Sequence, residues 1–136
     1  MERIITKNQI ELDTIEDFEN VPQEGELTVI HFLTRPDTVR YNVGWWVMCE
    51  GTMFIRPVGT KDKLELVYAH NIPIAPKKYF FRSAHEQLHF TLFFPALPKD
   101  TTHIDIIEIE GGSKQQYFNF YNVPLSKINS APLKHK

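Results

Sequence analysis

His85-Glu86-Gln87-Leu88-His89-Phe90-Thr91-Leu92-Phe93-Phe94-Pro95 admits two incompatible backbones. On a helix, His85 and His89 lie one turn apart on one face and can grip a single ion with Glu86 as general base, the HExxH arrangement of zinc peptidases. In a strand the same imidazoles stand roughly 13 Å apart and cannot share a metal. Ser83, with Glu86 three residues on, has the form of a capping box that would start a helix there. The residues after Gln87 oppose a helix. Leu88, Phe90, Leu92 and Phe94 alternate with His89, Thr91 and Phe93 at a period of two, and Pro95 ends the run. Leu92 stands where the extended metzincin pattern has glycine, no further histidine completes that pattern, and Glu108 or Glu110 as a third ligand would come from strand-like surroundings. The stretch from Gln87 to Phe94 is therefore predicted to be extended, with no metal site and no cofactor.

The pattern continues on both sides of that strand. From Glu26 to Leu33, Leu27, Val29, His31 and Leu33 face one way and Thr28, Ile30 and Phe32 the other, as in a strand buried on nearly both faces. Trp45 to Cys49 and Met53 to Ile55 read as two short strands joined at Glu50-Gly51-Thr52. Ile55 to Val58 and Leu64 to Ala69 flank the polar connector Gly59-Thr60-Lys61-Asp62-Lys63, a hairpin. Ile72-Pro73-Ile74-Ala75-Pro76 cannot be helical and should cross over the surface or between sheets. Lys77 to Phe81, His103 to Ile109 and Tyr117 to Val123 complete the strands, and Arg35-Pro36-Asp37 is a turn. Many short strands without a long helical period predict one all-β domain over residues 1–136. It should be an antiparallel two-sheet sandwich of about seven to nine strands, or else a barrel. Residues 1–25 form an N-terminal strand and arm in this reading, and residues 126–136 a tail that frays.

Composition agrees with a β domain of one core. The chain has 136 residues, 42% hydrophobic, with ten Phe, five Tyr and two Trp. A formal charge of −2 leaves no overall basic field to draw the chain to nucleic acid or an anionic membrane. Cys49 is the single cysteine, so no intrachain disulfide can form. The start, Met1 to Lys7, lacks the apolar run of a signal peptide, and the expected location is cytoplasmic, unless the sequence is the mature part of an exported protein.

Phe90-Thr91-Leu92-Phe93-Phe94-Pro95-Ala96-Leu97-Pro98-Lys99-Asp100-Thr101, then Ile104-Asp105-Ile106-Ile107-Glu108, then Phe118-Asn119-Phe120-Tyr121-Asn122-Val123-Pro124-Leu125, carry a resemblance. Together they resemble the C-terminal half of small, largely uncharacterised bacterial immunoglobulin-like β-sandwich domains, with an FTLxFPxLPKxT strand and loop, an IDxIE strand and a closing FNFYxVxL strand. The resemblance implies a sandwich of immunoglobulin-like topology and no catalytic residues. It also implies an extended segment before Phe90, where this chain spells the zinc motif.

Trp45, Trp46 and Tyr121 are the candidate binding residues. Neighbours on a strand point to opposite faces, so if one tryptophan enters the core the other meets solvent, a sheet edge or a partner. With Tyr41 or Tyr121 it would make a platform for a sugar ring or an anchor for a protein. The alternative is a bulge at Gly44 with both rings covered by the N-terminal arm. Cys49 is read as inert core, and Asp105, Glu108 and Glu110 as surface charge rather than an acid–base pair. Glu110-Gly111-Gly112-Ser113 lacks the lysine and helix of a phosphate loop. The expected function is a non-enzymatic binding or interaction module whose partner is another protein or a carbohydrate-like ligand, with homo-oligomers possible. A barrel-like carrier of an apolar ligand and a minimal HExxH zinc metallopeptidase stand as the alternatives.

Overall fold

A computed structural model describes residues 6–11, 27–36, 38, 44–113 and 116–125. The expectations for the N-terminal arm of residues 1–25, for Asp37, for Tyr41 and for the tail 126–136 lie outside the described residues, apart from the strand at 6–11. Ten strands occur in this order: β1 Thr6–Glu11, β2 Leu27–Arg35, β3 Trp46–Val47, β4 Phe54–Pro57, β5 Leu64–Glu65, β6 Tyr68–His70, β7 Tyr79–Phe80, β8 Leu88–Pro95, β9 His103–Ile107 and β10 Phe120–Pro124. They form two four-stranded antiparallel sheets, ordered β1-β2-β8-β6 and β10-β9-β4-β5, and a two-stranded ribbon of β3 with β7. The fold is all-β and sandwich-like, and among the described residues no further strand pairs with the outer edges of the two large sheets.

The longest ladder runs between β2 and β8, from Leu27 opposite Pro95 to Thr34 opposite Leu88. Alternation sends Ile30 and Phe32 from β2, and Leu88, Phe90, Leu92 and Phe94 from β8, to one face. The second sheet answers with Ile55 from β4 and Ile104 and Ile106 from β9. Rings weld the layers together. Phe32 and Phe90, opposite each other, stack with centroids 5.0 Å apart and planes within 3°. Phe118, just before β10, meets Phe32 edge-on at 5.9 Å and Phe90 at 5.2 Å. Each such ring, once buried, contributes about 2 to 3 kcal/mol of transfer free energy, and the offset geometry adds to it.

The hairpin predicted around Gly59 is present as β4 with β5, but the strand predicted from Leu64 to Ala69 is two strands in different sheets. Leu66 N–H still donates to Met53 O at 2.9 Å in the second sheet, while Val67 N–H donates to Phe93 O at 2.7 Å in the first. One peptide unit thus carries the chain across the sandwich. The two short strands around Glu50-Gly51-Thr52 also diverge. Met53 N–H closes the turn onto Glu50 O at 3.2 Å, yet β3 pairs with β7 and β4 pairs with β9 and β5. The crossing segment runs beside Cys49, whose N–H donates to Pro73 O and whose O accepts from Ala75 N–H, both at 2.9 Å.

Outward faces are less polar than alternation alone predicts. Phe93 points away from the core and is nonetheless buried, its ring 5.9 Å from that of Tyr68. Phe54, on the outer face of β4, is covered by Lys63 Nζ at 5.1 Å and the Arg56 guanidinium at 5.8 Å. Long basic side chains lie over an apolar ring and keep their heads in water.

Candidate functional site

Three long connections leave and rejoin the sheets at one end of the sandwich, and their described parts are 44–53 before β4, 71–87 between β6 and β8, and 108–113 with 116–119 between β9 and β10. The first two supply β3 and β7, so the ribbon roofs that end. Loops held on a rigid β scaffold are where binding residues concentrate.

On the ribbon Trp46 stands opposite Phe80, and Val47 opposite Tyr79. Tyr79 and Phe81 turn inward and meet edge-on, centroids 5.6 Å apart. Phe80 between them turns outward and is 58% exposed. Trp46 is 2% exposed, with Lys78 Nζ 4.9 Å above its ring. Trp45 is half-buried and packs against the core cluster. Trp46 is thus buried and Trp45 half-buried, and on the ribbon the aromatic side chain turned most to solvent is Phe80. The run Tyr79-Phe80-Phe81 carried the signal, because three successive rings on a strand cannot all face the core.

Tyr121 is 46% exposed, but on β10 in the second large sheet. Phe120 pairs with Ile106 and Val123 with Ile104, so Tyr121 and Asn122 together oppose the single residue Asp105. Asn122 has φ of 56°, and its N–H donates to Asp105 Oδ1 at 2.9 Å. This bulge interrupts the edge of β10, a device that hinders edge-to-edge pairing, and it accounts for the exposure of Tyr121.

The HExxH residues do not lie on a helix. His85 sits in the turn before β8, His89 is exposed on β8 itself, and the extended backbone predicted there is found from Leu88 onward. Ser83 does nucleate a turn: Glu86 N–H donates to Ser83 O at 3.3 Å and His85 N–H to Ser83 Oγ at 3.2 Å. It ends there because Leu88 enters the β2 ladder. Glu86 Oε2 accepts the Tyr79 hydroxyl, and Oε1 accepts Arg82 N–H at 2.6 Å. The carboxylate that a peptidase would use as base instead ties the turn to β7.

Those bonds favour the charged carboxylate. The Tyr79 hydroxyl, then the Arg82 amide, hold Glu86 below the usual glutamate range, and the bond to Glu86 raises Tyr79 above the usual phenol range. A folded-state pKa below the unfolded one contributes stability that is present above the unfolded value and disappears as pH falls through the folded one. In a titration followed by NMR, the Arg82 amide is expected to shift with a midpoint below that of an ordinary glutamate. Tyr79→Phe should raise that midpoint, and an unchanged midpoint would dissociate the hydroxyl from the effect.

The carboxylates of the β9 region divide. Asp105 Oδ2 accepts Arg56 Nε–H at 3.2 Å, and Arg56 Nη1 reaches Glu110 Oε2 at 3.5 Å, so these two acids share one guanidinium on the surface. Glu108 is different, and its assignment to surface charge is corrected: it is 2% exposed. Its Oε1 accepts Phe118 N–H at 2.8 Å and its Oε2 accepts Glu50 N–H at 2.9 Å. Asn119, 1% exposed, reciprocates. Its Oδ1 accepts the N–H groups of Glu108 and Ile109 at 2.7 and 3.2 Å, and its Nδ2 donates to the carbonyls of Ile109 and Gly112, both at 2.8 Å. Gly112 permits this closure, because a Cβ there would meet the Tyr117 ring at 2.6 Å. Glu108 and Asn119 therefore fasten the loop 108–119 to the turn at Glu50. Cys49 beside that turn is fully buried, its Sγ 3.5 Å from Met53 Sδ.

An open cleft of about 530 Å³ lies at the other end, walled by residues that include Pro57, Val58, Pro98, Lys99, Asp100 and Asn122. Two of its hydroxyls are turned into their own loops: Thr60 donates to Pro57 O at 2.9 Å and Thr101 to Pro98 O at 2.7 Å. Among the described residues, no helix is long and apolar enough to cross a membrane. No protein-family model, curated protein or solved structure matches the chain.

Proposed function

We propose that the chain is a non-catalytic protein-binding module on an immunoglobulin-like sandwich, with the ribboned end as its contact surface. Strand order supports the fold half of this reading. Naming β1, β2, β4, β5, β6, β8, β9 and β10 as A, B, C, C′, D, E, F and G turns the two sheets into A-B-E-D and G-F-C-C′. That order supports an immunoglobulin-like arrangement with one added strand, with β3 and β7 as insertions in the BC and DE connections. Antibody-type domains centre on a disulfide against tryptophan, whereas Phe32, Phe90 and Phe118 fill the core here and Cys49 forms no disulfide.

One observation carries the function half: Phe80 projects from a ribbon on which Trp46 and Phe81 are buried and Tyr79 is half-buried. An isolated aromatic held outward by a paired backbone is preorganised to anchor a partner, and covering it would yield on the order of 1 to 2 kcal/mol. The open sheets and the ring-filled core favour recognition at the surface over carriage of an apolar ligand inside a barrel.

Replacing Phe80 by photo-reactive benzoylphenylalanine in the cells that make the protein is expected to give a discrete light-dependent protein adduct. The same replacement at Val58, exposed at the opposite end, should give none. Adducts at neither position, or equally at both, would remove the ribbon as the contact surface.

A further inference from the structure

We infer that the ribbon binds an acidic, extended polypeptide segment that adds as a strand to the free edge of β7, a reading that rests on the proposed binding function and names its partner class. Three observations converge on this edge.

The first is hydrogen-bond register. Phe81 N–H donates to Trp45 O at 3.0 Å, so Trp45 and Phe81 form a bonded pair and the next pair, Trp46 with Phe80, is of the non-bonded kind. In an antiparallel ladder the main-chain groups of such a residue point away from its partner strand. The N–H and C=O of Phe80 therefore face the far side of β7, where no strand pairs among the described residues. A polypeptide can satisfy both groups at once, which a lipid headgroup or a sulfated sugar cannot do with strand geometry.

The second is the anchor. The residue at the centre of this edge, Phe80, is the most exposed of the large hydrophobic side chains among the described residues, at 58%. An added strand places a side chain beside that ring and covers it.

The third is charge. The segment Pro76-Lys77-Lys78-Tyr79-Phe80-Phe81-Arg82-Ser83-Ala84-His85 holds three full positive charges and no acid, in a chain whose net charge is −2. Lys77, Lys78 and Arg82 are all exposed. Lys78 shares the face of Phe80, two residues away, and lies over Trp46. Glu86, the nearest acid in sequence after this segment, binds Tyr79, which points to the other face of β7. An incoming carboxylate beside Phe80 thus meets cations on both flanks.

The test is fluorescence anisotropy with dye-labelled peptides on the full chain. A peptide of alternating Glu and Val is expected to bind, with affinity falling as salt rises. Phe80→Ser should weaken it at least about tenfold, and the neutralising double variant Lys78→Gln with Arg82→Gln should weaken binding and flatten its salt dependence. The same peptide N-methylated on one edge, which removes strand donors while keeping every charge, should bind at least about tenfold more weakly. Equal binding of a Ser-Val peptide would overturn the acidic assignment. Equal binding of the methylated peptide, or retention of a heparin fragment in place of peptide, would overturn strand addition. Circular dichroism of each variant separates lost binding from lost fold. A Phe80-dependent photo-adduct without any Glu-Val binding would sink this inference and leave the interaction module standing.

Discussion

Asn119→Ala is expected to lower the free energy of unfolding by about 4 kcal/mol, measured by urea denaturation. The side chain of Asn119 makes four hydrogen bonds, to two amides and two carbonyls of its own loop, while almost fully buried. Alanine leaves these groups without their partner in a space that water enters poorly, and each orphaned buried group costs about 1 to 3 kcal/mol. The loop would also release Glu108, whose carboxylate holds the N–H groups of Phe118 and Glu50. Asn119→Asp probes the same clamp by charge. Its carboxylate would face the carbonyls of Ile109 and Gly112 as a third acceptor, so ionisation is disfavoured and the pKa of the new acid rises. A raised folded-state pKa means stability recovered below the unfolded value and lost as pH climbs. The variant should therefore regain part of its deficit in acid. A loss below about 1 kcal/mol for the alanine variant, the range of an ordinary surface change, would show that the clamp does not hold the loop.

Phe118→Ala is expected to cost a similar amount, about 3 to 5 kcal/mol. Phe118 belongs to no strand, yet it is fully buried and its ring touches Phe32 on β2 and Phe90 on β8. It is the place where the loop before β10 reaches across to the first sheet. Truncation removes apolar contact and leaves a cavity between stacked rings that cannot collapse, because Phe32 and Phe90 are fixed opposite each other by the ladder. Phe118→Leu, which keeps most of the volume, should cost about 1 to 2 kcal/mol. If alanine and leucine behave alike, the ring contributes only generic hydrophobicity. If alanine costs less than about 1 kcal/mol, the two sheets are not joined there.

The two clamps share residues 118 and 119, one apolar and one polar, and this adjacency bears on how legible the chain was. Phe118-Asn119-Phe120-Tyr121 reads as a strand, and alternation alone would make Asn119 a surface amide. In fact the strand begins at Phe120, and Asn119 belongs to the loop it fastens. Nothing local distinguishes a solvated amide from one bonded to carbonyls seven and ten residues earlier. Glu108 misleads in the same way: it comes after an alternating strand and looks solvent-facing, but amides 10 and 58 residues away converge on it. On the ribbon Trp46 lies beneath Lys78 and is buried while Phe80 is exposed, a difference set by cross-strand neighbours that the local sequence does not reveal.

Alternation was determined by the amino-acid sequence alone, and with it the extended state of Leu88–Pro95, the division of β2 and β8 into two faces, and the all-β class. The reason is that side-chain direction in a strand is a local property of the backbone, repeated every two residues. Which strands pair was decided only in three dimensions: β3 with β7 rather than β4, and the change of sheet between Leu66 and Val67. Hydrogen-bond partners and burial depend on segments far apart in the chain. A residue's own neighbours therefore say which way it points, and the assembled sheets decide what it meets.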